Sequence, residues 1–483
     1  MRCFLASSVA LFLWGTAVAQ PLAVPLPKLK TDDLTKVPAE FLHKPTKLPD
    51  RVILTWTGDP ATTQAVTWRT DMTVEKPVVQ IAKSEAGPKF VPLGPVSVIT
   101  TTLKSDINEA LYHSANFAGL SPSTKYVYRL GDGANWTEWH QFETASDRSA
   151  PLRFIYFGDA QNDLKSHWSR VVRGAYSDMP KAHFILHAGD LVNRGTSDAE
   201  WGEWHAAAGW INGTVPSVPT PGNHEYSGKK GLTDHWRPQF ALPENGPKGL
   251  EESAYYFDIQ GVRIVSLNSN ERQSEQVAWL EGVLADNPNR WSVLTFHHPI
   301  YSTAKGRDNK AIRELWRPVI DKYGVDLVLT GHDHTYGRSG LMREDNLLDG
   351  LRTSEKGTVY VVSVSGPKMY SLEEEPWMKS SAKDTQLYQL ITIDGDKLHY
   401  EARTAKGDLH DEFELRKPKS GPNRIVERDE LDAERTFEAR PSRTQLIAAV
   451  AAMLGIAAFV LAIKTGRWLA RRRVPKSPTT DIA

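Results

Sequence analysis

Five short clusters in this 483-residue chain combine residue types that hold metal ions: Gly158-Asp159, Gly189-Asp190, Gly222-Asn223-His224-Glu225, His297-His298-Pro299 and Gly331-His332-Asp333-His334. Aspartate, asparagine and histidine are hard or borderline ligands, suited to zinc, manganese or iron. The one cysteine is Cys3, near the start of the chain, so any such site uses oxygen and nitrogen alone. A carboxylate such as Asp190 can bridge two cations. Two cations about 3.5–4 Å apart polarise a phosphoryl group and activate a water between them. A His332-x-His334 pair on an extended segment would turn both rings to one face, one toward each cation.

The elements that must position these side chains are legible in the flanking sequence. Residues 153–157, 183–188, 292–296 and 325–330 are apolar β-type runs, and each ends at one of the clusters. In open α/β sheets, ligands gather beyond the carboxyl ends of the strands. Glycine ahead of a ligand lets the chain turn sharply, so that the side chain points over the sheet edge. A single Gly-Asp after a strand is ordinarily just a turn. Five such clusters in one region point to a common site. Ile312, Leu315, Trp316, Val319, Ile320 and Tyr323 recur at helical spacing, with Pro318 inside as a candidate kink and Gly324 as a stop. Strands alternating with helices predict an α/β domain over residues 150–415. Residues 49–146 instead show short β-type runs at 52–56, 65–69 and 125–130, separated by Gly, Pro, Asp and Thr turns. That pattern predicts a β-sandwich.

The chain ends carry other signals. Arg2, the apolar stretch 4–14 and Ala17-Val18-Ala19 have the layout of a signal peptide over residues 1–19. Cleavage there would leave no cysteine and no disulfide. Residues 20–48 hold Pro21, Pro25, Pro27, Pro38 and Pro45 and read as an extended leader. Residues 416–443 are dense in charge and read as a stalk. Residues 446–463 carry no charge, and the tail 464–483 is basic through Lys464, Arg467, Arg471, Arg472, Arg473 and Lys476. This predicts a short transmembrane helix with a cytoplasmic tail, the rest of the chain being exported to the periplasmic or extracellular face. The formal net charge is zero. Nucleic acid is therefore not expected as a partner, because phosphate-backbone binders carry a basic excess.

The order of the five clusters resembles that of the calcineurin-like metallophosphoesterases, and more closely that of the purple acid phosphatases. Leu120-Ser121-Pro122 with Thr124-Lys125-Tyr126, then Gln276, Trp279 and Leu280, are further matching pieces. His297-x-Pro299-x-Tyr301 and His332-x-His334-x-Tyr336-x-Arg338 complete the pattern. The resemblance spans roughly residues 49–415. It implies an α/β two-sheet metallophosphoesterase sandwich (α/β/β/α) preceded by a fibronectin-III-like β-sandwich. It implies two metal ions (Fe, Zn or Mn), with Asp159 and His334 on the first, Asp190 bridging, and Asn223, His297 and His332 on the second. His224 is no ligand in that pattern. It lies over the site as general acid or phosphate-binding donor. The implied activity is hydrolysis of small-molecule phosphate esters by a hydroxide held between the metals, with phosphomonoesters as the favoured substrates. A phosphodiesterase or nucleotidase on the same site is the alternative. A non-catalytic surface protein with a decayed site fits less well, because all six ligands are present.

Two departures bear on the metals. Asn193 stands where purple acid phosphatases carry the tyrosine whose bond to ferric iron gives their colour. The resemblance therefore implies no tyrosinate charge-transfer band here. Gln161 stands where the wider superfamily often has a histidine ligand, which leaves the first metal to be completed by Asn193, Gln161 or water. Outside the ligand set, His187, His205, His235 and His298 read as satisfied or exposed, with His298 the best exception because it adjoins His297. Glu225 reads equally as a partner of His224 or a solvated residue. Arg338 reads as a phosphate contact or a structural anchor, and Trp201, Trp204 and Trp210 as core.

Overall fold

The computed structural model describes residues 36–228, 231–344, 346–347, 357–419 and 423–438, with scattered helical residues between 453 and 467. The expected signal peptide, the leader as far as residue 35, much of 446–463 and nearly all of the basic tail lie outside the described residues. Among the described residues no helix is long and apolar enough to cross a membrane. The end of the leader contains one helical turn, Ala39–Leu42, rather than a wholly extended segment.

Alternating apolar residues build the first domain as two antiparallel sheets. One has the strand order Asp50–Thr55, Gln64–Thr70, Glu109–Phe117, Val98–Lys104; the other Val78–Lys83, Lys125–Gly131, His140–Glu143. Leu54, Val66, Trp68, Ile81, Phe117 and Tyr128 are among the residues that fill the space between them. Every residue of Gln64–Thr70 is buried, because its outer face packs on the second domain. There Thr67 Oγ1 donates to Gln239 O at 2.5 Å. Arg51 donates to both carboxylate oxygens of Asp198, at 2.6 and 2.9 Å, and Arg69 adds a third contact at 3.3 Å. Removing one partner of such a buried pair is expected to cost about 3–5 kcal/mol.

The second domain is two seven-stranded sheets face to face. The first runs Ser217–Pro219, Phe184–His187, Leu152–Phe157, Leu387–Asp394, Lys397–Thr404, Leu409–Arg416, Arg424–Glu427. The second runs Tyr255–Ile259, Val262–Ser266, Trp291–Thr295, Leu327–Thr330, Val359–Val362, Tyr336–Ser339, Met378–Ala382. The period of two in the second sheet sorts its side chains. Val293, Leu327, Leu329, Val359 and Val361 join the core between the sheets. Their neighbours Leu294, Val328 and Tyr360 face the helices Glu275–Ala285 and Lys310–Tyr323, against Leu280 and Trp316. Lys310–Tyr323 contains Pro318 and stops at Gly324, whose φ of 61° is the left-handed conformation that glycine adopts without strain. On the first sheet, the helix Ser169–Asp178 lies over Leu387–Asp394 and against the helix Asp198–Ala208.

Of the stalk expected over 416–443, the described residues 423–438 form a strand and a helix. Arg424–Glu427 pairs antiparallel with Leu409–Arg416, and the helix Arg428–Glu438 follows with Leu431 buried. Several of the charges that suggested a stalk lie in ion pairs. Arg338 binds both Asp411 and Glu427 at 2.8 Å, Arg416 binds Glu434 at 2.6 Å, and Arg435 binds Glu412. A strand that closes a sheet edge through such long-range pairs has no local signature.

Candidate metal centre

All five clusters stand at the carboxyl ends of parallel strands. Asp159 follows Leu152–Phe157 and Asp190 follows Phe184–His187. Asn223 and His224 open the short 3-10 helix Asn223–Glu225 after Ser217–Pro219. His297 follows Trp291–Thr295, and His332 and His334 follow Leu327–Thr330. Two clusters thus come from one sheet and three from the other, and packing the sheets face to face brings the ends together. The backbone bends in the ligands themselves. Asp159, Asp190, His332 and His334 have φ of 32°, 51°, 75° and 48°. Non-glycine residues in this region are uncommon, and each costs about 1–3 kcal/mol.

Two expectations change as a result. His332-x-His334 is not extended: its two left-handed residues send the rings to different neighbours. The glycines ahead of the ligands serve mainly for close approach rather than for turning, since only Gly189 among them has a positive φ, of 89°. A Cβ on Gly222 would lie 2.1 Å from Asp190 Oδ1, and one on Gly331 would lie 2.3 Å from Asp159 Oδ2.

Each aspartate divides its two oxygens. Asp159 Oδ2 accepts the His332 N–H at 2.6 Å, and Asp190 Oδ1 accepts the His224 N–H at 2.9 Å. The other oxygens face the centre. His297 Nε2 stands 3.2 Å from Asp190 Oδ2, 3.1 Å from Asn223 Oδ1 and 3.1 Å from His332 Nδ1. Ligand atoms bonded to one zinc-like ion at about 2.0–2.2 Å are spaced about 3–3.5 Å apart, so this quartet fits the expected second metal. On the other side of Asp190, His334 Nε2 is 3.6 Å from Asp159 Oδ1, which is buried and has no hydrogen-bond partner. A buried carboxylate oxygen without a donor calls for a cation, and the residues expected around the first metal fit one. The rings are held from behind. His297 Nδ1 donates to Ala188 O and His334 Nδ1 to Lys368 O, both at 2.9 Å, which leaves Nε2 of each free to ligate.

The charges are mutually dependent. Burial pushes the Asp159 carboxyl well above the usual carboxylate range. Burial also opposes charge on Asp190, but His297 and His224 together hold its pKa below the usual range. Burial disfavours a cationic His297 in turn, yet Asp190 and Asp159 lift its pKa to about 9. Burial lowers His334 to about 4. The two carboxylates thus favour positive charge at His297, a demand that a bound metal ion would meet instead.

The remaining candidates fall into place by burial. His224 is partly exposed over the site, with Nε2 3.8 Å from Asp190 Oδ2 and Nδ1 2.5 Å from Asn193 O. Asn193 meets the site through that backbone carbonyl. Glu225 is fully buried and accepts the N–H groups of Asp190, Leu191, Val192 and Gly222. It pins the second and third clusters together, a role that neither expectation gave it. His298 does belong to the site, its ring centroid 4.2 Å from that of His332 and its Nδ1 2.8 Å from Ser269 Oγ. His187 is buried among Phe157, Trp168 and Trp204 with both ring nitrogens unpartnered, so it is neither satisfied nor exposed. His205 Nε2 bonds Gln239 Oε1 at 3.0 Å, and His235 is buried beside Asp198. Arg338 is a buried anchor. Trp201 and Trp204 are core, but Trp210 is exposed.

One contributor had no ligand residue to announce it. Beyond the strand Val359–Val362, Ser365 N–H and Gly366 N–H donate to Gly158 O and Asp159 O, both at 2.7 Å. Lys368 O then holds His334, and the Tyr370 ring lies 4.5 Å from the His334 ring. The Arg307 guanidinium stacks 4.6 Å from the Tyr370 centroid and donates to His332 O at 3.1 Å. The available signal was a β-type run ending in Ser363-Val364-Ser365-Gly366-Pro367, a strand end like the others but without aspartate, asparagine or histidine.

Comparison with known proteins bears on the family and the fold. Residues 49–144 match the family model of the purple acid phosphatase N-terminal domain, and residues 152–336 that of the calcineurin-like phosphoesterases. An uncharacterized protein of Mycobacterium tuberculosis is 26% identical over 462 residues, which cover 75% of this chain and 86% of that protein. Human acid phosphatase type 7 is 24% identical over 400 residues, covering 74% of this chain and 88% of its own. The structure of a purple acid phosphatase from yellow lupin seeds superposes with a TM-score of 0.67 at 19% identity, covering 77% of this chain and 75% of that one.

Proposed function

Because the chain belongs to the calcineurin-like metallophosphoesterases of purple-acid-phosphatase type and is a metal-dependent phosphoester hydrolase, we propose that it releases phosphate from small-molecule phosphomonoesters outside the cytoplasm. The observation that carries this reading is the pair of ligand rings that share Asp190 Oδ2. Asp159 and His334 would hold the first ion, Asp190 would serve both, and Asn223, His297 and His332 would hold the second. When bound, two such ions (Fe, Zn or Mn) supply Lewis acidity at phosphoryl oxygens and acidify a water between them. His224 has its ring fixed by the Nδ1–H bond to Asn193 O. Nε2 is left over the site to give a proton or hydrogen bond to the leaving oxygen.

Support for a monoester comes from the rim. Arg307 and Lys368 both lie over the Tyr370 ring beside His334. Arg307 is shared with Asp333 at 3.5 Å, and the added charge of Lys368 favours a dianionic monoester over a monoanionic diester. The test is a side-by-side assay of aryl mono- and diesters on the metal-loaded chain. A preference for the monoester of about ten-fold or more, equivalent to about 1.4 kcal/mol, is expected. The reverse preference would make it a phosphodiesterase.

We also read the chain as exported and held by residues 446–463. The uncharged run followed by a basic tail supports this. So do the described residues Met453, Ile456, Phe459 and Leu461, which are helical with exposed apolar side chains. The full chain should sediment with membranes, and a chain ending at Glu438 should not. Identical fractionation of the two would remove the anchor from the reading.

A further inference from the structure

Gln161 lies among the atoms assigned to the first metal. It is fully buried, and its N–H donates to Asp190 O at 3.1 Å, so the side chain cannot swing away. The end of its amide on the site side is 2.9 Å from Asp190 Oδ2 and 2.9 Å from His334 Nε2. In the second site the Asn223 amide likewise stands 3.1 Å from an imidazole nitrogen, His297 Nε2, which is itself 3.2 Å from Asp190 Oδ2. Each proposed site thus has one amide side chain beside a histidine nitrogen.

The hydrogen bonds around Gln161 are incomplete in a telling way. Its Nε2 donates to Asp190 Oδ2 and His334 Nε2, while Gln161 Oε1 and Asp159 Oδ1 are both buried acceptors without a donor among the described residues. A cation bonded to Asp159 Oδ1, Asp190 Oδ2 and His334 Nε2 repels the amino end of this amide and attracts its oxygen. A half-turn about the last side-chain bond exchanges the two ends without moving the rest of the residue. The oxygen then stands where the nitrogen was, at ligand spacing from the other atoms.

We propose that Gln161, through Oε1, is a fourth protein ligand of the first metal, an assignment that rests on the two-metal reading above. It gives the first ion as many protein ligands as the second: two carboxylates, one of them shared, an imidazole and a neutral amide. Without a phenolate or thiolate, this is a set for a hard or borderline divalent ion.

The experiment uses the full-length chain, stripped with a chelator and titrated with Zn2+ and separately with Co2+. Elemental analysis after desalting gives the stoichiometry, and the visible spectrum reports the Co2+ environments. The wild-type chain should take up two ions. Gln161→Leu, apolar and close in volume, should keep one ion with wild-type affinity, hold the other at least about ten-fold more weakly, and alter one Co2+ spectrum. The retained ion shows that the variant is folded. Gln161→Glu, which keeps an oxygen at this place, should hold both. A Gln161→Leu chain that binds two ions as tightly as wild type, or more tightly, overturns the assignment. A wild-type chain that takes up no ion overturns the two-metal reading itself and this assignment with it.

Discussion

At the scale of single side chains, the roles proposed for His224 and Asp190 separate proton transfer from metal binding. His224 touches Asp190 only through its main-chain N–H and stands back at 3.8 Å with its ring. His224→Ala should lower turnover by about 10²–10⁴-fold, the range for a lost general acid, while metal content stays near two ions. Metal loss in that variant would contradict the role. Asp190 Oδ2 is the atom common to both ligand rings, so Asp190→Ala should lose both ions on elemental analysis. Two ions still tightly held would sink the bridging role. These residues were legible because their types are restricted by metal chemistry and each follows an apolar run. Glu225 was not legible. A glutamate in sequence does not reveal that four backbone N–H groups converge on it from two loops, since that depends on how the loops meet.

At the scale of elements, the strand ends work by close approach. A methyl group on Gly222 would fall 2.1 Å from Asp190 Oδ1 and 2.2 Å from Asp190 N, so the second and third loops cannot keep their spacing. Gly222→Ala should therefore reduce bound metal with the far-ultraviolet circular dichroism unchanged, because the strand Ser217–Pro219 ends before the clash. A fully metallated Gly222→Ala chain would show that the loops have slack. The strands that carry ligands were readable, since their apolar runs stand out locally. Arg424–Glu427 was hidden, since an apolar pair, Ile425 and Val426, between two charged residues is too short a run to stand out, and its ion-pair partner Arg338 is distant in sequence.

At the scale of the whole molecule, neutral buried histidines set the response to acid. His113 bridges Thr70 and Thr100 at 2.8 and 2.9 Å inside the first domain, and burial lowers its pKa to about 4. Burial lowers His187 and His205 to about 3. Each takes up a proton less readily folded than unfolded. Below about pH 6.5 the unfolded chain is protonated first, and stability falls until the folded pKa values are reached. Thermal unfolding of the chelator-treated chain should thus shift to lower temperature between pH 7 and pH 4.5, and less steeply for His113→Gln. An identical pH slope for that variant would assign the loss to other groups. The two domains respond together in this scheme, because Arg51 and Arg69 of the first are both bound to Asp198 of the second.

The sequence by itself determined the chemistry: an oxygen and nitrogen ligand set at strand ends, in an α/β domain behind a β-sandwich. Ligand type and strand periodicity are local properties, and a chain displays them without folding. Tertiary structure decided the rest. The side chains proposed as ligands meet around Asp190 because two sheets pack face to face, and the left-handed backbone of Asp159, Asp190, His332 and His334 is held only by contacts from elsewhere. It also decided that Gln161 lies between Asp190 and His334, since those partners are remote in sequence and meet only when the chain is packed.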